Sequence, residues 1–461
     1  MDFENKPWIF HDENGRMRIW PQGLYIFLRE SGYVKFGEKG VVFVYDPDKG
    51  VFQETDYQGL MAYIKSYMPE NIRTYKQIDA VRRELTTEAV NVTRADFDAQ
   101  ERFINFQNGV FDTESGELFE HDPQYLQIRQ LPCDYNPEAI TEQAPTFHKF
   151  LNDLLPGDTQ TQAFLLEFMG ACFSAVFGYR FKKALLLVGP GNTGKTQIRS
   201  FMEKVIGEKH SMTLDMKELN QNRFAPSLLE GKRFSGSGDM SYMQVEELNI
   251  FKSLTGGDSI FAERKHEQGF NLIYRGFLWY NTNKLPYFRG DRGDHLYNRM
   301  MIVYCNNPIP VEQQDRNLLE KMLSEKEAII NVAIKFFLQA VERGYQFTES
   351  DAMREARENY KHENNSLFSF VKLRCVVNGG RCKRSDFNRK YEAWCARNEI
   401  TKEKDKERKP QLEAEFGIVP IKINGEYYYD MALLDDGDED YNQQALDDAL
   451  TRLMVRANRK R

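Results

Sequence analysis

The chain has 461 residues, of which 41% are hydrophobic and 28% charged, and its formal net charge is -7. The length suggests about three domains. The composition excludes a disordered chain, a collagen-like repeat and a disulfide miniprotein, and the acidic balance taken alone argues against a nucleic-acid binder.

The charge is unevenly spread. Residues 1–150 sum to -9, residues 151–360 to zero, and residues 361–410 carry 14 basic against 7 acidic side chains. A local basic block beside an acidic remainder is a candidate polyanion face. In chain order, Val41–Tyr45 and Val51–Phe52 around Asp46–Gly50 predict a β-hairpin, and Leu60–Met68 a helix. Phe103–Leu118 predicts a second hairpin, with Asn108-Gly109 and Ser115-Gly116 as turns. Pro132, Pro137 and Pro145 mark a linker. Phe164–Phe177 is helical, and its Glu167 and small residues exclude a membrane span. Ala184–Val188, Gly276–Tyr280 and Met300–Tyr304 are apolar runs expected in a parallel sheet. Ile198–Ile206 and Ala328–Val341 are helical. From about 346 the chain reads as helical and basic, closing with a short hairpin over Ile421–Tyr429. These patterns predict an α+β region at 1–145, an α/β unit at 146–345 and a basic unit at 346–461.

The six cysteines include no C-x-x-C pair. Cys375, Cys382 and Cys395, with His362 upstream, allow a zinc site, but their spacings favour buried free thiols. The N-terminus, MDFENKPWIF, lacks the basic start and apolar core of a signal peptide, so a reducing cytoplasm is expected.

Gly189-Pro190-Gly191-Asn192-Thr193-Gly194-Lys195-Thr196 fits G-x-x-x-x-G-K-[ST], between an apolar strand and a helix. Glycines let backbone N–H groups wrap phosphates, and the helix N-terminus adds a favourable dipole. Gly189 to Gln197 is therefore the expected nucleotide cradle. Lys195 reaches the β and γ phosphates, and the Thr196 hydroxyl is a Mg²⁺ ligand. Asp239 is the candidate second ligand, after a run that is small and polar rather than aliphatic. Glu246 and Glu247 are rivals for positioning the attacking water. Asn283 is preferred to Asn281 as the polar group that meets the γ phosphate.

The order of this motif, Asp239, Phe251–Asp258, Ala262–His266 and Asn281–Pro286 resembles superfamily 3 helicases, in the branch shared by phage and plasmid primase-helicases and the poxvirus NTPase-primase. Phe106–Asp112 and Leu131–Tyr135 resemble the region before the motor in that branch. Size and layout resemble replication initiators of staphylococcal pathogenicity islands and related phage satellites. The resemblance implies an AAA+-like P-loop motor that assembles as a homohexamer, hydrolyses ATP with Mg²⁺ and pulls on single- and double-stranded DNA. It implies Lys195 and Asp239 as catalytic groups, with Asn283 as the γ-phosphate sensor. Lys265 and His266 become the tip of a DNA-contacting hairpin. Arg299 becomes the finger offered to a neighbouring subunit, with Arg292 as its rival. Host replication proteins or an inhibitor protein are further conceivable partners; no membrane is implied.

In that light residues 346–461 resemble a winged helix-turn-helix that reads an origin. Arg384, Arg389, Lys390, Lys406, Arg408, Lys409 and Lys422 are its candidate DNA contacts. Two other readings stay open. Asp96 and Asp98 allow a metal-binding pair for primer synthesis, and the unusual run before Asp239 allows a DNA-binding or partner-docking protein with a weakened motor.

Overall fold

The computed structural model describes Phe3 and residues 5–88, 90–240, 244–245, 248–288, 294–397 and 402–434. The chain opens with a hairpin (β1, Ile9–His11; β2, Met17–Ile19) and helix α1 (Pro21–Glu30). A three-stranded antiparallel sheet follows (β3, Val34–Phe36; β4, Val42–Asp46; β5, Val51–Thr55), then α2 (Tyr57–Ser66) and α3 (Tyr75–Thr86). The Asp46–Gly50 turn forms as expected, with Tyr45 opposite Phe52. Trp8, Leu24, Leu28, Leu60, Ile64 and Val81 make a core of their own.

The second predicted hairpin is a meander of β6 (Phe103–Phe106), β7 (Gly109–Asp112) and β8 (Leu118–Phe119). Ile104, Phe106 and Phe111 do not join the first core. They pack with Leu131 and Cys133 into the cluster that holds Phe168, Leu185 and Phe201. The expected boundary at 145/146 is therefore crossed by one apolar core. The proline-marked segment is anchored as well: Asn331 donates to the Asp134 carbonyl at 3.0 Å and accepts from Asn136 N–H at 2.9 Å.

Helices α4 (Pro145–Leu154) and α5 (Thr159–Phe173) lead to β9 (Ala184–Val188) and α6 (Lys195–Ile206). Next come β10 (Ser211–Thr213), α7 (Met216–Gln221), β11 (Phe234–Gly236), β12 (Gln244–Val245) and α8 (Asn249–Gly256). The hairpin β13 (Ile260–Ala262) and β14 (Phe270–Leu272) precedes β15 (Phe277–Thr282), β16 (Tyr287–Phe288), α9 (Asp294–Tyr297) and β17 (Met300–Tyr304). Five strands form one parallel sheet in the order β10-β11-β15-β9-β17. Every residue of β9 and β15 is buried, which is why Ala184–Val188 and Phe277–Tyr280 read as apolar runs, with the buried polar Asn281 and Thr282 closing β15. Helices α10 (Leu318–Ser324) and α11 (Lys326–Glu342) close one side of the sheet, and α11 lies against α5. The two helices approach so closely that a Cβ at Gly170 would sit 2.1 Å from the Ala333 carbonyl oxygen.

Helix α12 (Asp351–Glu363) packs on β17 and leads to the C-terminal unit. That unit runs α13 (Ser366–Arg374), β18 (Cys375–Lys383), α14 (Arg384–Arg397), α15 (Asp405–Phe416), β19 (Ile421–Ile423) and β20 (Glu426–Leu433), with sheet order β18-β20-β19. Strand β18 falls where a helix was expected. The β-branched pair Val376-Val377 pairs with β20, and Asn378 and Gly380, at φ +59° and +153°, carry the irregularity that follows. Phe387, Tyr391 and Cys395 share the buried face of α14, against Phe370 and Tyr429. All six cysteines are buried free thiols, and among the described residues no group of His, Cys, Asp or Glu is arranged to hold a metal. Among them, too, no helix is long and apolar enough to cross a membrane.

Candidate nucleotide site and nucleic-acid interface

The phosphate loop leaves the carboxyl end of β9, the edge where open α/β sheets bind ligands. Its glycines are dictated by contact and by backbone angle. Gly189 has φ +155°, and a Cβ there would lie 2.1 Å from the Cys305 carbonyl oxygen. Gly194 has φ +97°, with the Phe150 ring 2.7 Å from where a Cβ would stand. Asn192 takes φ +64°, and its carbonyl accepts from Ile309 N–H at 2.8 Å, so the segment after β17 braces the loop apex. Helix α6 begins at Lys195 and points its free N–H groups into this cradle. Pro190, Gly191, Asn192 and Thr196 are exposed, Gln197 is half-buried, and Thr193 is buried.

Lys195 is buried, and its ammonium donates to the carbonyls of Gly189 and Pro190 at 2.7 Å each and to Thr193 Oγ1 at 3.2 Å. Burial holds its pKa below the usual lysine value, opposed by the neighbouring Cys305 and Asp239. Asp239 therefore lies within electrostatic reach of the ammonium. It is exposed, three residues beyond β11, where Met240 N–H bonds the Asn281 carbonyl at 2.8 Å.

The small, polar run before Asp239 has a steric cause. A Cβ at Gly236 would stand 1.9 Å from the Trp279 carbonyl oxygen. The buried Arg199 spans the same gap, donating to the carbonyls of Trp279 at 2.6 Å and Gly236 at 3.1 Å while pairing with Glu203 at 3.0 Å. Arg199 thus ties the helix of the phosphate loop to both strands that carry the other site groups. Sequence reasoning missed it, although its place one turn after Lys195 on a largely buried helix was a signal.

Asn281 and Asn283 separate cleanly. Asn281 is buried and engaged, donating to the Lys195 carbonyl and accepting from Trp279 Nε1, both at 2.8 Å. Asn283 is exposed just past the end of β15. The loop, Thr196, Asp239 and Asn283 thus share one edge of the sheet. These residues suit Mg-nucleotide: positive-φ backbone for phosphates, an ammonium, a free hydroxyl and one exposed carboxylate. Mg²⁺ prefers few protein ligands completed by phosphate and water.

Arg299 lies at the other edge. It precedes Met300, which stands level with Ala184 in the parallel register. Six residue steps at about 3.3 Å then put it roughly 20 Å from the loop of its own chain. Its guanidinium bonds Thr255 Oγ1 at 3.1 Å and the His295 carbonyl at 3.2 Å. Arg292, Glu246 and Glu247 lie outside the described residues.

Lys265 and His266 occupy the exposed tip of the β13–β14 hairpin, with His266 at φ +67°. In the C-terminal unit, Lys406, Lys409 and Lys422 are exposed. Arg384 and Arg389 pair with Asp405 and Asp386 at 2.9 and 3.0 Å, and Lys390 Nζ reaches the Leu434 carbonyl at 3.2 Å. Arg408 corrects the expectation. It is 3% exposed, stacked on the Tyr391 ring and bonded to Glu392, Asn388 and the Glu403 carbonyl, so its guanidinium holds the fold together instead of facing DNA. Asp96 and Asp98 are a second correction. Asp96 caps Thr93, and Asp98 pairs with Arg129 at 2.9 Å, so neither carboxylate is available as half of a metal pair.

Two family models match the chain. The family described as D5 N terminal like matches residues 9–156, and a family of unknown function, DUF5906, matches residues 187–317. The second match takes in the phosphate loop, Asp239, the hairpin, Asn283 and Arg299. A protein named as a candidate helicase, L207/L206 of Acanthamoeba polyphaga mimivirus, is 25% identical over 218 residues, which are 45% of this chain and 22% of that protein. The chain thus spans about a fifth of the length of this curated relative. Two apo structures of the NrS-1 C-terminal region are similar over 89% and 90% of this chain and 99% of theirs, at 12% and 13% identity and a TM-score of 0.43. The chain is thus similar over residues 9–156 to the D5 N terminal like family, and over 45% of its length to a mimivirus protein named as a candidate helicase.

Proposed function

We propose that the chain is an ATP-dependent DNA helicase and replication initiator, which binds a specific origin, melts it and unwinds DNA as a ring, most simply a homohexamer. The observation that carries this reading is the division of the motor sheet into two working edges. The phosphate loop, Thr196, Asp239 and Asn283 share the carboxyl edge, whereas Arg299 stands at the opposite edge of the same chain. Arg299 can complete a phosphate site only if that site belongs to a neighbour. The exposed tip of β13–β14 supplies a flexible cation and an imidazole for backbone phosphates, independent of sequence.

The C-terminal order of helix, strand, two helices and a β-ribbon supports a winged helix as the origin reader. Helix α15 offers Lys406 and Lys409 to a major groove, and β19–β20 offers Lys422 as the wing. Much of the basic block is neutralised within the unit, so specificity rests on few cations. In the test, Lys195→Ala in the full chain abolishes ATP turnover and strand separation while duplex binding to the origin persists. Unwinding that survives the substitution defeats the proposal. Absence of ATP turnover by the unaltered chain with single-stranded DNA would instead favour a non-catalytic DNA-binding protein.

A further inference from the structure

The β13–β14 hairpin carries a third cation, Arg264, next to Lys265. Its guanidinium lies over the Phe270 ring at 4.7 Å and pairs with Glu230 and, at 3.3 Å, with Glu267. Glu230 follows the short turn Ala225–Leu229, which packs on β13. The same carboxylate pairs with Arg94 at 3.4 Å, and Arg94 Nε bonds Glu54 on β5 at 2.8 Å. Charges therefore alternate along Glu54, Arg94, Glu230 and Arg264, from the N-terminal sheet to the hairpin loop. A second contact fixes the segment that carries Arg94, since Arg275, just past β14, donates to the Ala95 carbonyl at 2.6 Å. The four side chains of the chain of charges keep between 27% and 47% of their surface, so solvent and a nucleic-acid backbone can reach them.

We propose that Glu230 is an internal stand-in for a DNA phosphate. It occupies the Arg264 guanidinium in the DNA-free chain and is displaced by a backbone phosphate of single-stranded DNA that meets the hairpin. The proposal rests on the reading of β13–β14 as the DNA-contacting element. A guanidinium forks onto phosphate as it does onto carboxylate, so the exchange conserves the bonding of Arg264. Such an exchange ordinarily strands the carboxylate left behind, at a cost. Arg94 removes that cost, because it stays on Glu230 when Arg264 departs. Arg94 is thus a positioning residue for Glu230: Glu230 is the brake on DNA engagement, and the N-terminal region, through Arg94, eases its release.

The geometry predicts opposite signs for two neighbours that touch no DNA. In the full-length protein, binding of a fluorescein-labelled oligothymidylate is followed by anisotropy at fixed salt. Glu230→Gln frees Arg264 and tightens binding roughly threefold to fivefold, the range of an exposed ion pair. Arg94→Gln makes release of Arg264 costly and weakens binding by a similar factor. The double variant Glu230→Gln/Arg264→Gln loses the gain. Thermal melting establishes that each variant is folded. Shifts of both single variants in the same direction, or of neither, overturn the proposal. Lys265→Ala separates the two levels. If it weakens binding while Glu230→Gln and Arg94→Gln change nothing, only the stand-in fails. If it leaves binding unchanged, the hairpin reading fails and the stand-in with it.

Discussion

Arg199 and the six thiols show what burial does to single side chains in this protein. Arg199 holds two strand carbonyls and Glu203 from a site that water hardly enters. Arg199→Met strands those acceptors, and unfolding free energy measured in urea should fall by about 2–3 kcal/mol. Burial pushes the thiols of Cys133, Cys172, Cys305 and Cys375 up to about 12 and that of Cys382 to about 11. A thiol whose folded value lies above its unfolded one favours the folded state at low pH, and that stability declines as pH rises past the ordinary value near 8.5. At pH 8 a chromogenic disulfide reagent should therefore react with the folded chain slowly, and with all six thiols once it is unfolded. Fast reaction of the folded protein would contradict the buried placement.

At the scale of elements, close backbone approach explains residues that pattern alone leaves odd. Gly170 lets α5 meet α11, where a Cβ would lie 2.1 Å from backbone oxygen. Gly170→Ala should cost about 2 kcal/mol through overpacking, seen as a lower denaturant midpoint. Gly191, with open space around it and no left-handed backbone, should tolerate alanine to within about 0.5 kcal/mol. The meander β6–β8 is an element whose partner is distant in sequence. Phe106 and Phe111 bury against Leu131 and Cys133 in the core of the parallel-sheet unit. A fragment starting at residue 146 should therefore expose apolar surface and aggregate, whereas one starting at residue 99 should stay dispersed. Light scattering distinguishes the two.

At the scale of the whole molecule, the two working edges of the sheet predict complementation between subunits. Under the proposed ring, Arg299→Ala and Lys195→Ala chains should each be inactive alone, since one would lack the group offered to the neighbour and the other the group proposed to hold phosphate. Mixed before assembly, they should regain part of the ATP turnover, because some interfaces then pair an intact loop with an intact Arg299. No recovery in a mixture shown to co-assemble would argue against action between subunits.

The sequence alone was enough for features set by local geometry. The G-x-x-x-x-G-K-T spacing determines a left-handed, glycine-dependent loop before a helix, and runs such as Ala184–Val188 determine strands buried on both faces. The turn residues at 46–50 and 424–425 determine their hairpins. It did not determine which chemically equivalent side chain is free to act. Asn281 and Asn283 lie two residues apart, and only the packing of α6 on β15 commits the first to the Lys195 carbonyl. Arg408 and Lys409 are adjacent in a basic run, yet helix phase turns one inward onto Tyr391 and the other to solvent. Strand β18 was missed because its pairing partner, β20, lies some fifty residues away and β propensity depends on that partner. Which edge holds Arg299, and which carboxylate holds Arg264, are contacts between distant segments. Spacing fixes the backbone locally, but availability of a side chain depends on what the rest of the chain packs against it.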